Sequence, residues 1–424
     1  MDVETKQKVL NSCDAIFDDV INFTQDMVGE YAVLNNEQGV LNVVEARLQS
    51  LNLSPERVTL NNADLHAHEL FAPVPWDYEN KYNLISSLNK GEEGRSLVFN
   101  GHIDVVPAEP VEMWSQAPSI SYQKDGWLYG RGAGDMQSGV AAMIYAVHAI
   151  QRLGFNIKSP LSIQTVIEEE CTGNGALACV HAGHTGDFVM IPEPFGAQIY
   201  SGQIGVIWFK VRLYGKPAHV LNTAAGVNAI EALNPAIKAL KLLEERLNTE
   251  FNHIKPYSEM DHPYNLNIGK IQGGNWASSV PAYAELEGRI GFPPEMPSNI
   301  IMQLISDALA PVQQQLSNSK AGKMTLRFEG FRSEGHLVDL AHAGIQTLSS
   351  CHFDLLQQEP EYYFATCTTD LRAFHCYDST AGTCYGPVAE NIHGIDERVN
   401  IESIRHTLKT YALFIMSWCN VSQS

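Results

Sequence analysis

The chain of 424 residues is too long for one hydrophobic core of ordinary size, and its 45% hydrophobic residues are enough to fill two. The 28 basic and 48 acidic residues give a formal net charge of −20, and no basic run with interleaved aromatic residues occurs, which argues against nucleic acids and anionic membranes as partners. The first ten residues lack the apolar core of a signal peptide and no stretch has the length of a transmembrane helix, so the sequence predicts a soluble cytoplasmic protein.

The predicted elements of the first half alternate between helices and strands. Apolar residues spaced by three and four over residues 5–53 predict two amphipathic helices. A helix is predicted over 138–153, closed by Gly154, and a strand over 161–167 follows it. Strand, helix and strand in this order form a βαβ unit, which requires parallel pairing. We therefore expect an α/β fold whose mixed, mostly parallel sheet is flanked by helices.

The pattern changes after Ile204. Strands are then predicted over 206–213, 265–271, 283–290 and 323–328, and long helices over 226–247 and 298–316. Four strands and two helices form an α+β unit. Helices predicted over 336–349 and 401–416 then return to the first domain. We predict a discontinuous domain made of residues 1–204 and 333–424, with an inserted domain made of residues 205–332.

Residues able to bind metals follow several of the predicted buried strands. They are His102 and Asp104 in Gly-His-Ile-Asp, Asp135 in a glycine-rich loop, the triplet Glu168-Glu169-Glu170, and Glu193 in Ile-Pro-Glu-Pro, with His393 near the C-terminus. Open α/β sheets form their sites at the carboxyl ends of strands, so these side chains are expected to meet. Zinc takes imidazole nitrogen and carboxylate oxygen, and one carboxylate can bridge two ions roughly 3.5–4 Å apart. Because His393 lies beyond the inserted unit, the chain must return to the first domain.

These motifs resemble the metallohydrolase family of acetylornithine deacetylases, succinyl-diaminopimelate desuccinylases, aminoacylases and glutamate carboxypeptidases. The resemblance covers nearly the whole chain and is most specific at residues 101–104, 129–136, 168–175 and 386–393. It implies two zinc ions bridged by Asp135 and a water or hydroxide, with His102 and Glu193 on one ion and Glu170 and His393 on the other. Cobalt and manganese can substitute at such nitrogen and oxygen ligands.

The same resemblance assigns different roles to the glutamates of the acidic triplet. The spacing from Asp135 matches the family's general base at Glu169 and its ligand at Glu170. A shift by one residue, with Glu168 as base and Glu169 as ligand, stays open. Asp104 suits a carboxylate that orients the ligating imidazole of His102, and its alternative role is that of an ordinary carboxylate at a strand end.

The inserted domain resembles the family's lid and dimerisation domain. His219 in Gly-Lys-Pro-Ala-His resembles the histidine that donates to the carbonyl oxygen in the transition state, in many members from the neighbouring subunit of a dimer. Whether His219 acts in its own subunit or in its partner stays open, as does the alternative of a polar loop residue. Asn275 and Arg289 resemble the pair that reads the substrate's α-carboxylate, to which the fork of an arginine is suited. The alternative for Arg289 is a cation on the sheet surface.

The sequence therefore predicts a homodimeric zinc amidohydrolase that removes a small acyl group from an N-acyl amino acid or a related metabolite. Residues 368–372 and 390–398 resemble motifs of the acetylornithine deacetylase branch. One alternative keeps the chemistry but changes the substrate, to a dipeptide, a C-terminal glutamate or an N-formyl amine. Another, from a different class, is a non-catalytic binding protein that keeps the fold. The acyl group, the amine and the physiological metal stay open.

Overall fold

The computed structural model describes residues 1–89, 93–318 and 322–423. Its helices are α1 Val3–Ala15, α2 Phe17–Gly29, α3 Gln38–Ser50, α4 Ala63–His66, α5 Ser138–Gln151, α6 Asn174–His181, α7 Ala229–Glu250, α8 Ser298–Asn318, α9 Ala343–Leu356, α10 Leu371–Asp378 and α11 Ile401–Trp418. Its strands are β1 Pro55–Thr59, β2 Tyr82–Leu88, β3 Leu97–His102, β4 Tyr122–Lys124, β5 Trp127–Tyr129, β6 Phe155–Ile157, β7 Leu161–Val166, β8 Val189–Ile191, β9 Ile199–Gln203, β10 Gly205–Tyr214, β11 Leu266–Gly273, β12 Tyr283–Phe292, β13 Lys323–Arg327, β14 Arg332–Ser333, β15 His336–Leu337, β16 Tyr362–Ala365, β17 Gly382–Cys384, β18 Ala389–Glu390, β19 Arg398–Asn400 and β20 Val421–Gln423.

The main sheet has the strand order β1-β2-β7-β3-β8-β17. Strands β7, β3, β8 and β17 pair in parallel, whereas β1 and β2 join one edge in antiparallel fashion. The parallel strands are almost continuously buried, as expected for a sheet covered on both faces. The predicted class, a mixed and mostly parallel α/β sheet, is confirmed.

Helix α5 lies at the centre of the larger core. Every residue from Ser138 to Val147 is buried, so the helix is enclosed on all sides. It packs against β3 and β7 on one side and against α1, α2 and α11 on the other. Within the described residues the chain forms two large hydrophobic clusters, one with members from Val9 to Cys419 and the other with members from Ile204 to Phe331.

The smaller cluster fills the inserted unit. Its sheet has the order β11-β12-β10-β13, and α7 and α8 pack together on it. Along β10, Ile207, Phe209 and Val211 are buried, whereas Trp208 and Lys210 on the opposite face are partly exposed. This alternation is that of an antiparallel sheet with one covered face. The other face is therefore available to line a cleft.

Three local predictions differ from the structure. The N-terminal region forms three helices, because the chain leaves helical geometry at Ile16. The inserted sheet gains a short fifth strand, β14, beside β10 in addition to the four predicted. The helix predicted from residue 336 starts only at Ala343, where the His342 side chain accepts from the Gly344 N–H and caps it. The division into domains at residues 205 and 332 stays a prediction.

No helix in the described ranges is long and apolar enough to cross a membrane.

Candidate metal and active site

The carboxyl ends of three adjacent strands supply the first part of the site. His102 is the last residue of β3, Glu168 comes two residues after β7 ends, and Glu193 comes two residues after β8 ends. Because β7, β3 and β8 are neighbours and run parallel, these residues leave the sheet at the same edge. Asp135 reaches this edge from the loop before α5.

Asp135 lies between two histidines. Its Oδ1 is 3.1 Å from Nε2 of His102, and its Oδ2 is 3.4 Å from Nε2 of His393. Nε2 of His393 is also 3.1 Å from Oε2 of Glu170, and Nε2 of His102 is 3.9 Å from Oε1 of Glu193. The structure thus brings all five predicted metal ligands together, with a different oxygen of Asp135 facing each half of the cluster.

The electrostatics of this cluster fit a site for cations. Burial raises the pKa of both Glu169 and Glu193 well above the ordinary value, and neighbouring carboxylates raise it further, against the opposing effect of His102. The negative charge of Glu170 raises the pKa of His393 to about 11. Ligand atoms of His102, Asp135 and Glu170 all lie within 4.8 Å of one another. Divalent cations held here would offset this mutual repulsion, and the donor set of imidazoles and carboxylates suits zinc.

Glu397 holds the loop that carries Asp135. Its Oε1 accepts the backbone N–H groups of Gly132, Gly134 and Asp135 at 3.0–3.1 Å, and its Oε2 pairs with Arg131. The pair is buried, so the hydrogen-bond network fixes the backbone that leads to Asp135. Sequence reasoning missed this role, although Glu397 lies in a motif that the resemblance singled out.

Asp104 contributes differently from the prediction. Nδ1 of His102 lies 3.0 Å from the backbone carbonyl oxygen of Asp104, whereas its distance to the Asp104 carboxylate is 3.8 Å. An Nδ1–H that donates to this carbonyl leaves Nε2 free to bind a metal. The carboxylate instead accepts the backbone N–H groups of Glu169 and Glu170, at 3.3 and 3.2 Å. Asp104 therefore positions both the histidine and the glutamate loop.

Glu168 anchors the same loop from the other side. Its carboxylate is completely buried and accepts from Trp76, Tyr78 and Thr172 at 2.7–3.0 Å, and it pairs with Lys81 at 2.9 Å. A carboxylate committed to four donors is poorly placed to accept a proton from water. This geometry favours Glu169 over Glu168 as the base.

A cleft with a volume of 340 Å³ separates this cluster from the inserted sheet. Glu169, Glu170 and His393 line it from one side, and the face of the sheet opposite α7 and α8 lines it from the other. Arg289 lies in this wall, where its Nη2 donates to the carbonyl oxygen of Thr366 at 3.3 Å. Its Nε has no hydrogen-bond partner among the described residues. The guanidinium group is thus largely uncommitted and faces the cleft.

His219 and Asn275 are placed elsewhere. Both side chains are exposed, and neither belongs to the described residues that line the cleft. Nδ1 of His219 accepts the backbone N–H of Leu221 at 3.0 Å, so a neutral ring carries its proton on Nε2. Of the three predicted substrate-binding or oxyanion residues, the structure brings only Arg289 to the cleft of its own chain.

Arg372 is a further residue that the sequence did not assign. It donates through Nη1 to the carbonyl oxygen of Arg332 at 2.6 Å and through Nη2 to that of Thr172, and its guanidinium carbon lies 4.2 Å from the ring centre of Phe331. It therefore connects the inserted unit to the loop of the acidic triplet. The buried carboxylate of Asp370 has no hydrogen-bond partner in the described parts of the chain.

Peptidase family M20/M25/M40 matches residues 98–417. The chain belongs to this family. It is therefore a metal-dependent hydrolase of amide bonds, which confirms the predicted class of enzyme and the predicted family. The alternative of a non-catalytic binding protein is not supported by the intact cluster.

Relatives of known sequence or structure cover most of the chain. An N-formyl-4-amino-5-aminomethyl-2-methylpyrimidine deformylase of Bacillus subtilis strain 168 is 27% identical over 372 residues, which are 82% of this chain and 86% of that protein. The di-peptidase Dug1p of Saccharomyces cerevisiae superposes with a TM-score of 0.81 at 15% identity, over 97% of this chain and 98% of its own. Human carnosine dipeptidase 1 gives a TM-score of 0.77 at 18% identity, over 97% and 99%. These two likenesses concern the fold.

Proposed function

We propose that the protein is a two-zinc deacylase that removes a small acyl group from an N-acyl amino acid or a related metabolite. His102 and Glu193 would hold one ion, Glu170 and His393 the other, and Asp135 would bridge them. Cobalt or manganese would suit the same donors. Bound ions would lower the pKa of a water molecule and polarise the amide carbonyl. The observation that carries the proposal is the two-sided contact of Asp135 with His102 and His393.

Glu169 is the proton carrier in this proposal. Its Oε2 is 4.0 Å from Nε2 of His102, nearly the same distance as the 3.9 Å of Glu193, but its carboxylate lines the cleft, whereas Glu193 is not among the described lining residues. A buried carboxyl with a raised pKa can take a proton from water and deliver it to the leaving nitrogen. The backbone bond from Glu169 to Asp104 keeps the group at this edge of the sheet.

Arg289 binds the carboxylate of the substrate in this proposal. An uncommitted guanidinium in a partly buried cleft favours an anion, and its fork fits the two oxygens of a carboxylate. This supports an amino acid as the amine portion of the substrate. We therefore propose a function like that of the acetylornithine deacetylase branch.

The inserted domain, residues 205–332, acts in this proposal as a lid and as the interface of a homodimer. It carries two strongly exposed apolar side chains, Leu221 at 89% and Trp276 at 72% relative exposure. Both lie near His219 or Asn275 in sequence. A second subunit docked on this surface would place its own His219 at the cleft of the first. That histidine would donate to the substrate's carbonyl oxygen, which gains negative charge in the transition state. Asn275 would join Arg289 at the substrate carboxylate.

A second candidate is the removal of a formyl group from an amine. It is favoured by the deformylase of Bacillus subtilis, which matches 82% of the chain. The two candidates share the metal site and differ in whether the substrate carries a carboxylate.

Released amine from N-acetyl, N-formyl and N-succinyl amino acids, from dipeptides and from N-formyl amines will separate these candidates. The zinc-loaded protein should hydrolyse N-acyl amino acids fastest, and removal of metal with a chelator should abolish turnover until zinc is restored. Full activity of metal-free protein would contradict the metal site. Faster release from N-formyl amines that lack a carboxylate would favour the second candidate.

A further inference from the structure

One row of side chains crosses the inserted sheet at the cleft. Trp208 on β10 pairs in register with Arg289 on β12, and Arg289 pairs with Asn267 on β11. Residues paired directly across antiparallel strands share a face, so the indole, the guanidinium and the amide stand side by side. All three line the cleft opposite Glu169. The uncommitted cation thus has an aromatic neighbour.

Four further charged side chains at or beside this wall form ion pairs, and Lys270 adds an exposed cation to the lining. Nζ of Lys210 lies 3.0 Å from Oε1 of Glu287, and Nε of Arg327 lies 3.1 Å from Oε1 of Glu329. Neither pair leaves a free charge to select a cationic or anionic side chain. Apart from the cations Arg289 and Lys270, the wall therefore offers mainly an aromatic surface.

A second aromatic ring extends this surface. The ring centres of Trp208 and Phe331 are 6.2 Å apart, and the backbone N–H of Trp208 donates to the carbonyl oxygen of Phe331 at 2.8 Å. The guanidinium of Arg372 covers Phe331 at 4.2 Å, and Arg372 is itself bonded to the backbone of Arg332. Phe331 is only 5% exposed, so its ring is held in place. Trp208 and Phe331, which we call the aromatic wall, form a prearranged surface for a flat group.

We infer that the amine portion of the substrate carries an aromatic or heteroaromatic ring next to its carboxylate, and that the aromatic wall selects it. The inference rests on the proposed deacylase function and names its substrate class. Arg289 fixes the carboxylate, and the ring of the substrate packs against Trp208 one strand away. A cleft of 340 Å³ is large enough for a ligand of this kind.

The test compares N-acetyl-L-phenylalanine with N-acetyl-L-alanine and N-acetyl-L-ornithine, using the zinc-loaded protein. The aromatic substrate should have the highest kcat/KM, by roughly 10-fold or more, because a buried ring gains both apolar contact and ring packing. Trp208→Leu keeps an apolar side chain but removes the ring, and it should abolish most of this preference. Trp208→Phe keeps an aromatic ring at this position and should retain the preference. Tyr214→Ala is the matched control, since Tyr214 is an aromatic residue on the same face of β10 and outside the described lining of the cleft.

Binding separates this inference from the proposed function. Calorimetry should show tighter binding of L-phenylalanine than of L-alanine, and Trp208→Leu should remove the difference. If no amide is hydrolysed but this binding preference and its loss are observed, the deacylase proposal fails and the aromatic wall stands as a binding site. If N-acetyl amino acids are hydrolysed but alanine and phenylalanine substrates have equal kcat/KM, the inference is overturned while the deacylase stands. Equal binding of both amino acids together with no hydrolysis overturns both.

Discussion

The edge of the main sheet and the loops of the inserted unit differ in how completely one chain builds them. At the sheet edge, His102, Glu169 and Glu193 are buried, and the His102 ring and the Glu169 backbone are hydrogen-bonded to Asp104. In the inserted unit, His219 and Asn275 are exposed on loops. Strands that must pair in register leave their ends at fixed places, whereas a loop gains a fixed place only from what covers it. The five candidate ligands therefore meet within one chain, whereas His219 and Asn275 would reach its cleft only through movement or from a second copy.

The largest effect is expected for Glu169→Gln, which tests the site at the edge of the main sheet. The substitution keeps the shape of the side chain and removes its ability to carry a proton. General acid–base help is worth roughly 10²–10⁴-fold, so kcat should fall by that factor. Metal content, measured by elemental analysis, should stay near that of the wild type.

Glu170→Gln is the matched comparison, because it changes the adjacent glutamate in the same way. Its contact of 3.1 Å with His393 predicts loss of metal along with activity. The reverse pattern, with metal lost from Glu169→Gln and kept by Glu170→Gln, would mean that the two roles are exchanged.

The role of the exposed His219 in the inserted unit is tested by mixing two inactive proteins. His219→Ala should lower kcat by roughly 10²–10³-fold, as removal of one oxyanion donor does. Mixed dimers of Glu169→Gln and His219→Ala should regain part of the activity, because one of their two sites then combines an intact Glu169 with an intact partner histidine. Activity is measured after subunit exchange has been demonstrated with differently tagged chains.

His253→Ala provides the control, since His253 is another exposed histidine of the same unit. Its activity should equal that of the wild type. Exchange into mixed dimers without any recovery would show that His219 serves its own subunit or has no catalytic role.

Arg289→Ala sharpens the comparison, because Arg289 is the predicted lid residue that does reach the cleft. Loss of a charge-assisted bidentate contact should lower kcat/KM by roughly 10-fold or more on an N-acyl amino acid. The corresponding carboxamide should be a poor substrate for the wild type and about equally poor for the variant. Arg246→Ala, which removes an exposed arginine of α7, should change neither rate.

Equal rates of the wild type on the amino acid and its carboxamide would be incompatible with carboxylate recognition. The formylated amine would then become the better candidate.

The metal cluster could be anticipated from the sequence because its residues follow apolar runs. His102 ends a strand whose composition marks it as buried, and Glu170 and Glu193 follow two others; parallel pairing of β7, β3 and β8 turns those positions into neighbours. The long elements were predicted for the same reason. Helix α11 was predicted over 401–416 and spans Ile401–Trp418.

Residues that act through backbone groups could not be anticipated in this way. The carboxylates of Asp104 and Glu397 accept main-chain N–H groups from segments that are far away in sequence. No spacing rule encodes such a bond, because every residue except proline offers the same donor. The short strand β14 is missed for a similar reason, since two residues carry no periodicity.

The smallest effect concerns the segment that joins the two regions. His336 on β15 is buried, both of its ring nitrogens lack hydrogen-bond partners within the described ranges, and its ring stacks on His375 at 4.6 Å. Burial lowers the pKa of His336 to about 3, and the charges of His375 and Arg372 act in the same direction. Between this value and the unfolded value of about 6.5, the unfolded chain binds a proton that the folded chain does not. Stability should therefore fall as pH falls below about 6.5, and His336 alone should contribute a slope of about 1.4 kcal/mol per pH unit.

His336→Leu should lose this contribution, so its unfolding free energy should fall less steeply than that of the wild type between pH 6.5 and 4.5, which lie within the interval between the two pKa values. Urea unfolding at a series of pH values, in the same buffer and zinc concentration for both proteins, measures the difference. Protonation of the metal ligands then affects both proteins alike and cancels. His253→Leu, which changes an exposed histidine, should keep the wild-type slope. An unchanged slope in His336→Leu would mean that folded His336 binds its proton about as well as the unfolded chain does. Water or another hydrogen-bond acceptor would then reach its ring in spite of its burial.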